Sequence, residues 1–194
     1  MNIAILGGTF NPIHLGHIAM AEHILHHTDM EKICFLPNGL PPHKIGNIAP
    51  KQHRLKMVEI ATEYNPDFYV SDYEINQDKT CYTIDTIKHF NSLDSNQYHF
   101  IIGADSLFNL SLWKDAEELK KICSFIICDR GENSHTATEV EKLRQSGCRI
   151  FLASMKKIDI DSTSIREKIK KGLDTSNYLQ KEVAQYIEKH KLYI

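Results

Sequence analysis

Residues 3–17 read Ile3-Ala4-Ile5-Leu6-Gly7-Gly8-Thr9-Phe10-Asn11-Pro12-Ile13-His14-Leu15-Gly16-His17, and this stretch decides the fold. Ile3–Leu6 is a short apolar run rich in β-branched residues, the pattern of a strand buried on both faces. Gly7 and Gly8 follow, where the backbone is expected to turn and come close to a ligand. Pro12 stiffens the loop. A helix is expected to begin near Leu15, which stacks His14 and His17 one turn apart at its N-terminus. Free N–H groups and the positive helix end favour an anion there. Two imidazoles add donors that can follow charge as it grows on phosphoryl oxygens, and Gly16 leaves room for a bulky group. The run fits neither G-x-G-x-x-G nor G-x-x-x-x-G-K-[ST], which argues against a dinucleotide dehydrogenase or a P-loop NTPase.

Further apolar runs recur at Ile33–Leu36, Phe68–Val70, His99–Ile102, Phe125–Cys128 and Arg149–Leu152. Helical spacing fills the gaps, at Leu15–His27, Lys51–Tyr64, Thr83–Phe90, Asp115–Ile122 and Ala137–Gln145. Alternating strands and helices predict an α/β fold, a doubly wound Rossmann-like parallel sheet with helices on both faces and right-handed crossovers. Ser162–Lys171 and Tyr178–His190 add a C-terminal helical segment, expected to pack against the sheet. The chain is therefore read as a single domain over 1–194, with a core at 1–153 and a C-terminal motif and helices at 154–194. All six prolines lie at or before Pro66, so the early loops are the most shaped part of the chain.

The 194 residues are 42% hydrophobic and 25% charged, enough to bury a core without a disulfide or metal staple. Lys+Arg is 23 against Asp+Glu 25. A net charge of −2 argues against a general nucleic-acid coat or a polybasic membrane binder, while leaving room for a local anion site. There is no 18-residue apolar span and no signal-peptide pattern. Five scattered cysteines without C-x-x-C read as reduced thiols of a cytoplasmic protein. His23, His26 and His27 read as a solvated helix face rather than a metal site. The stretch Lys156–Lys171 is locally basic and could look like an RNA patch.

Gly7-Gly8-Thr9-Phe10-Asn11-Pro12-Ile13-His14-Leu15-Gly16-His17 resembles the signature of the nucleotidyltransferase superfamily with the (H/T)-x-G-H motif. Ile160-Asp161-Ser162-Thr163-Ser164-Ile165-Arg166 resembles its second motif, I-S-S-T-x-I-R, with Asp161 where serine is commoner. Pro41-Pro42-His43-Lys44, Arg54 with Met57, Tyr82–Thr86, Gly103–Leu107, Trp113 and the ending through Leu192-Tyr193 are similar to the bacterial nicotinate-nucleotide adenylyltransferases. The resemblance runs along nearly the whole chain.

It implies AMP transfer from ATP to nicotinate mononucleotide, giving nicotinate adenine dinucleotide and pyrophosphate. Mg²⁺ would enter through the ATP phosphates, with no metal site in the protein. His14, His17 and Arg166 are implied as catalytic. Gly7, Gly8, Thr9, Phe10, His14, His17, Gly103, Asp105, Ile160, Ser162, Thr163 and Arg166 are implied for ATP. Lys44, Thr83, Trp113 and Arg130 are implied for the mononucleotide, with Arg130 in a Cys128-Asp129-Arg130-Gly131 run that matches the family's R-P-G only loosely. No nucleic-acid or membrane partner is expected, and a homo-oligomer is left open. The alternatives are nicotinamide mononucleotide or phosphopantetheine as acceptor, or a catalytically silent nucleotide-binding module.

Overall fold

A computed structural model describes residues 1–40, 48–129, 135–156 and 158–194. In it, strands β1 (Asn2–Gly8), β2 (Lys32–Pro37), β3 (Phe68–Val70), β4 (Gln97–Gly103), β5 (Ser124–Asp129) and β6 (Arg149–Ser154) form one sheet in the order β3-β2-β1-β4-β5-β6. Every pairing is parallel. The strand order reverses direction between β1 and β4, so a crevice opens beyond their carboxyl ends.

Alternation along β1 explains the two layers. Ala4 and Leu6 point into one core cluster, Ile3 and Ile5 into a second on the other face. Helices α1 (Leu15–His27) and α2 (Lys51–Thr62) cover the first face. Helices α3 (Thr83–Leu93), α5 (Ala116–Ile122) and α6 (Thr136–Gln145) cover the second. Between them lies a short α4 (Ala104–Phe108) and a 3-10 turn at Leu110–Leu112 that periodicity did not predict. At five residues, α4 is too short to leave a periodic apolar stripe.

The C-terminal helices α7 (Ser162–Lys170) and α8 (Lys181–Lys189) join the first face. Ile165, Leu179, Val183, Ile187 and Leu192 are buried in that cluster, and α8 lies along α2. The expected contact with the sheet is thus made largely through the helical layer. The expected start of α8 at Tyr178 moves to Lys181, because the Tyr178 carbonyl turns to accept from Leu15 N–H at 2.9 Å. Among the described residues, no helix is long and apolar enough to cross a membrane.

Candidate active site

The first loop differs from its sequence reading in where it turns. Gly7 and Gly8 remain in β1, paired with Leu36 and Pro37. A Cβ on Gly7 would come within 2.9 Å of Phe100 Cζ, and one on Gly8 within 3.1 Å of Phe10 Cζ. The glycines therefore make space for aromatic rings. The turn falls on Phe10, at φ 47, a left-handed conformation costly for a bulky residue. Its side chain is buried against Phe35 and edge-on to His17, with centroids 5.0 Å apart. Phe10 thus props the site from inside, and any ATP contact from it must come from its backbone.

His14 caps α1 from an extended backbone. Its ring stacks on that of His17, with centroids 3.7 Å apart and planes 26° from parallel. The His14 N–H donates to His17 Nδ1 at 3.3 Å. An Nδ1 that accepts leaves the proton on Nε2, so His17 presents a donor on its outer nitrogen. Gly16 is needed for this fold of the rings. A Cβ there would lie 3.0 Å from His14 Nδ1 and 3.5 Å from Ile158 Cγ2. The room it leaves is filled by His14 itself.

His14 is 8% exposed, and burial lowers its pKa from 6.5 to about 4 against the opposing pull of the Asp161 carboxylate. The folded protein therefore keeps it neutral while the unfolded chain protonates near pH 6.5. Between those values the unfolded state binds more protons, so stability falls as pH drops through this window. The contribution of His14 approaches about 3 kcal/mol at full protonation, at about 1.4 kcal/mol per pKa unit. His99, buried with both ring nitrogens lacking a hydrogen-bond partner among the described residues, shifts the same way because of burial and then Arg149. Urea unfolding at pH 7 and pH 4.5 should show this loss, and His14→Gln should flatten it. Equal slopes in the two proteins would contradict the assignment.

The second motif meets the first loop across about 150 residues. Arg166 Nη1 donates to Asn11 O at 2.9 Å, and Nη2 to Thr163 Oγ1 at 3.2 Å. Ser162 Oγ donates to Pro12 O at 2.9 Å, so this hydroxyl clamps the loop. Asp161 does more than replace a serine. It caps α7, with Oδ1 accepting from Thr163 and Ser164 N–H at 2.9 Å and Oδ2 from Ser164 Oγ at 2.6 Å. Those bonds, the Ser164 hydroxyl first, hold its carboxyl below the usual carboxylate range. The Thr163 and Ser164 N–H groups at the start of α7 are thus already engaged, and Thr163 Oγ1 and Arg166 are the side-chain donors there. Between α1 and α7 lies a cavity of about 330 Å³ lined by His14, Gly16, His17, Ser162, Thr163 and an apolar wall that includes Met20, Met155 and Ile160.

Gly103 ends β4 at the switch point, and a Cβ there would meet nothing within 4 Å. It also caps α4, so Asp105 is an exposed first-turn residue rather than the cap. Thr83 is the first residue of α3, and Trp113 is half-buried against the second core cluster. Lys114 connects their surroundings, pairing with Asp85 at 3.0 Å and lying 4.8 Å above the Tyr82 ring. Lys44 and Arg130 lie outside the described residues. The structure therefore gathers His14, His17, Ile160, Ser162 and Thr163 at one cavity, and Arg166 reaches it through its bond to Thr163 Oγ1.

The model of the cytidylyltransferase-like family matches residues 5–168. The chain is 39% identical to a protein of Caldicellulosiruptor bescii named probable nicotinate-nucleotide adenylyltransferase, over 100% of this chain and 99% of that one. A protein of Thermoanaerobacter sp. (strain X514) with the same name is 38% identical, over 100% and 94%. The chain belongs to the nicotinate-nucleotide adenylyltransferase family. Its fold is similar to that of the Plasmodium falciparum nicotinic acid mononucleotide adenylyltransferase complexed with NaAD, at a TM-score of 0.83 and 23% identity, over 99% of this chain and 97% of that one.

One residue of this family member gains a role that motif reading gave it no means to show. Arg54 is 1% exposed. Its guanidinium donates to Thr9 O at 2.7 Å, Gly39 O at 3.0 Å, Ala49 O at 3.1 Å and Asn38 Oδ1 at 3.3 Å. It ties the first loop to the chain leaving β2 and to the approach of α2. The resemblance singles out Arg54 with Met57 but says nothing about carbonyls gathered from three segments.

Proposed function

We propose that the chain transfers AMP from ATP to nicotinate mononucleotide, releasing pyrophosphate and nicotinate adenine dinucleotide. The observation that carries this is the stacked His14–His17 pair sharing one cavity with Thr163 of the second motif. Arg166 bonds to Thr163 and to the first loop. The acceptor phosphate oxygen attacks the α-phosphorus, and the bond from that phosphorus to the bridging oxygen of pyrophosphate breaks. The acceptor is already an anion, so no general base or covalent enzyme nucleophile is required. The protein's work is alignment and charge stabilisation.

His17 Nε2–H donates toward the α-phosphoryl oxygens, with neutral His14 beside it. Thr163 and Arg166 take the β- and γ-phosphates. Ser162 acts by fixing Pro12. Gly7, Gly8, Thr9 and Phe10 form the wall behind the nucleotide, while Ile160, Gly103 and Asp105 address adenosine. Lys44 and Arg130 meet the mononucleotide phosphate side, Trp113 stacks on the pyridine ring, and Thr83 presents backbone N–H to its carboxylate. Mg²⁺ arrives as part of the substrate, on the triphosphate. The donor set favours this, because both Asp161 oxygens are engaged by α7. The chain works as one unit in the cytoplasm, without a nucleic-acid or membrane partner.

Pyrophosphate release with Mg²⁺-ATP tests the reading, using nicotinate mononucleotide, nicotinamide mononucleotide and phosphopantetheine in parallel. A strong preference for the first is expected. A preference for another acceptor would move the substrate, and release with none would overturn the transferase reading. Arg166→Ala should raise the KM for ATP about tenfold or more, since a hydrogen bond to a charged group is lost. Unchanged KM and kcat for ATP would remove Arg166 from the triphosphate. Gly16→Ala should push the His14 ring aside and lower kcat by about 10²-fold, the scale of an ångström-sized misplacement. A fully active Gly16→Ala enzyme would show that the ring stack is dispensable.

A further inference from the structure

Two arginines hold the Gly7–His17 loop from behind. Arg54 bonds to Thr9 O and Arg166 to Asn11 O, on either side of the strained Phe10. None of the ion pairs among the described residues involves either guanidinium.

The C-terminal tail reaches the same place. After α8, Lys191 has φ 51 and Tyr193 has φ 66, two non-glycine residues in the left-handed region within three positions. Such a conformation persists only where its surroundings over-determine it. Leu192 between them is buried, and its N–H donates to Ile187 O at 3.0 Å. Tyr193 packs against the first core cluster and shares a crevice of about 180 Å³ with Ala49. Ala49 is the residue whose carbonyl accepts from Arg54 Nε and whose N–H donates to Asn11 Oδ1. The Tyr193 hydroxyl is buried and has no hydrogen-bond partner among the described residues. Burial raises its pKa, and the charges of Arg166 and then Arg54 oppose that rise, so both guanidiniums lie within its electrostatic reach.

An unpaired buried hydroxyl costs stability, and phenylalanine would avoid that cost. The oxygen therefore has its use in another state. We propose that Tyr193 is a positioning residue for nucleotide binding, its phenol oxygen accepting a guanidinium N–H when Arg166 engages a polyphosphate. The tail thereby keeps the two arginines and the loop between them in register. This rests on the reading of Arg166 as a triphosphate ligand.

Tyr193→Phe removes only the hydroxyl. The full-length variant is compared with wild type by thermal unfolding, and by calorimetric binding of Mg²⁺ with the non-hydrolysable analogue β,γ-methylene-ATP and, separately, of nicotinate mononucleotide. The expected result is an equal or higher Tm, about tenfold weaker binding of the ATP analogue, and mononucleotide binding within twofold of wild type. Analogue affinity within twofold of wild type would overturn the proposal. So would equal weakening of both ligands with a lowered Tm, which is the mark of a merely structural residue. Wild-type protein that binds no ATP analogue would instead sink the nucleotide reading of the site, and this proposal with it.

Discussion

His17→Ala should lower kcat by at least about 10²-fold while leaving the protein folded, the loss measured when one preorganised donor to developing charge is removed. The His17 ring is held by three features. Phe10 meets it edge-on, His14 stacks on it, and the His14 N–H engages its Nδ1. Orientation is thus settled before substrate arrives, and a donor that needs no reorganisation is worth most at the transition state. The effect should fall on kcat more than on the KM of either substrate. His17→Asn, which keeps a short donor, should recover only part of the loss. Steady-state kinetics on protein whose circular dichroism matches wild type make the comparison. Near-normal kcat in His17→Ala would remove the residue from the reaction.

Arg54→Met should cost the most stability of any single change considered. It leaves Thr9 O, Gly39 O, Ala49 O and Asn38 Oδ1 without their donor. Four orphaned acceptors at about 1 kcal/mol each amount to about 4 kcal/mol. At about 2–4 °C per kcal/mol for a chain of this size, Tm should fall by about 8–16 °C. Arg54→Lys should lie between, since one ammonium cannot reproduce a planar fork aimed at carbonyls from three segments. Removing a buried charge recovers some desolvation, because burial already opposes the charged form of Arg54. A Tm within 2 °C of wild type would mean that this recovery cancels the lost bonds.

Much of the fold was legible because its signals are local. Six apolar runs became six parallel strands, and Ile3–Leu6 and Phe125–Cys128 are buried on both faces as their composition requires. The resemblance assigns His14, His17 and Arg166 to one reaction, which requires the two motifs to meet, as they do through Arg166 and Ser162. The function of particular residues within them was less visible, because it depends on contacts made far along the chain. Gly7 and Gly8 suggest a turn in the sequence, whereas in the fold they make room for Phe100 and Phe10. Asp161 departed from the family pattern by one residue, yet it caps α7 and occupies two N–H groups there. Ser162 serves Pro12, 150 residues away. Arg54 and Tyr193 belong to segments that carry the family resemblance, which assigns neither of them a role. Their surroundings exist only once the first loop, the α2 approach and the C-terminal tail have come together.

The central claim is direct transfer of AMP between two anions on a site of donors. Its most direct test follows both products when purified protein is mixed with Mg²⁺-ATP and nicotinate mononucleotide. Pyrophosphate and nicotinate adenine dinucleotide should form one for one. Labelled pyrophosphate should not exchange into ATP unless the mononucleotide or the dinucleotide is present. Exchange without either, or pyrophosphate formed with free AMP in place of the dinucleotide, would contradict the account.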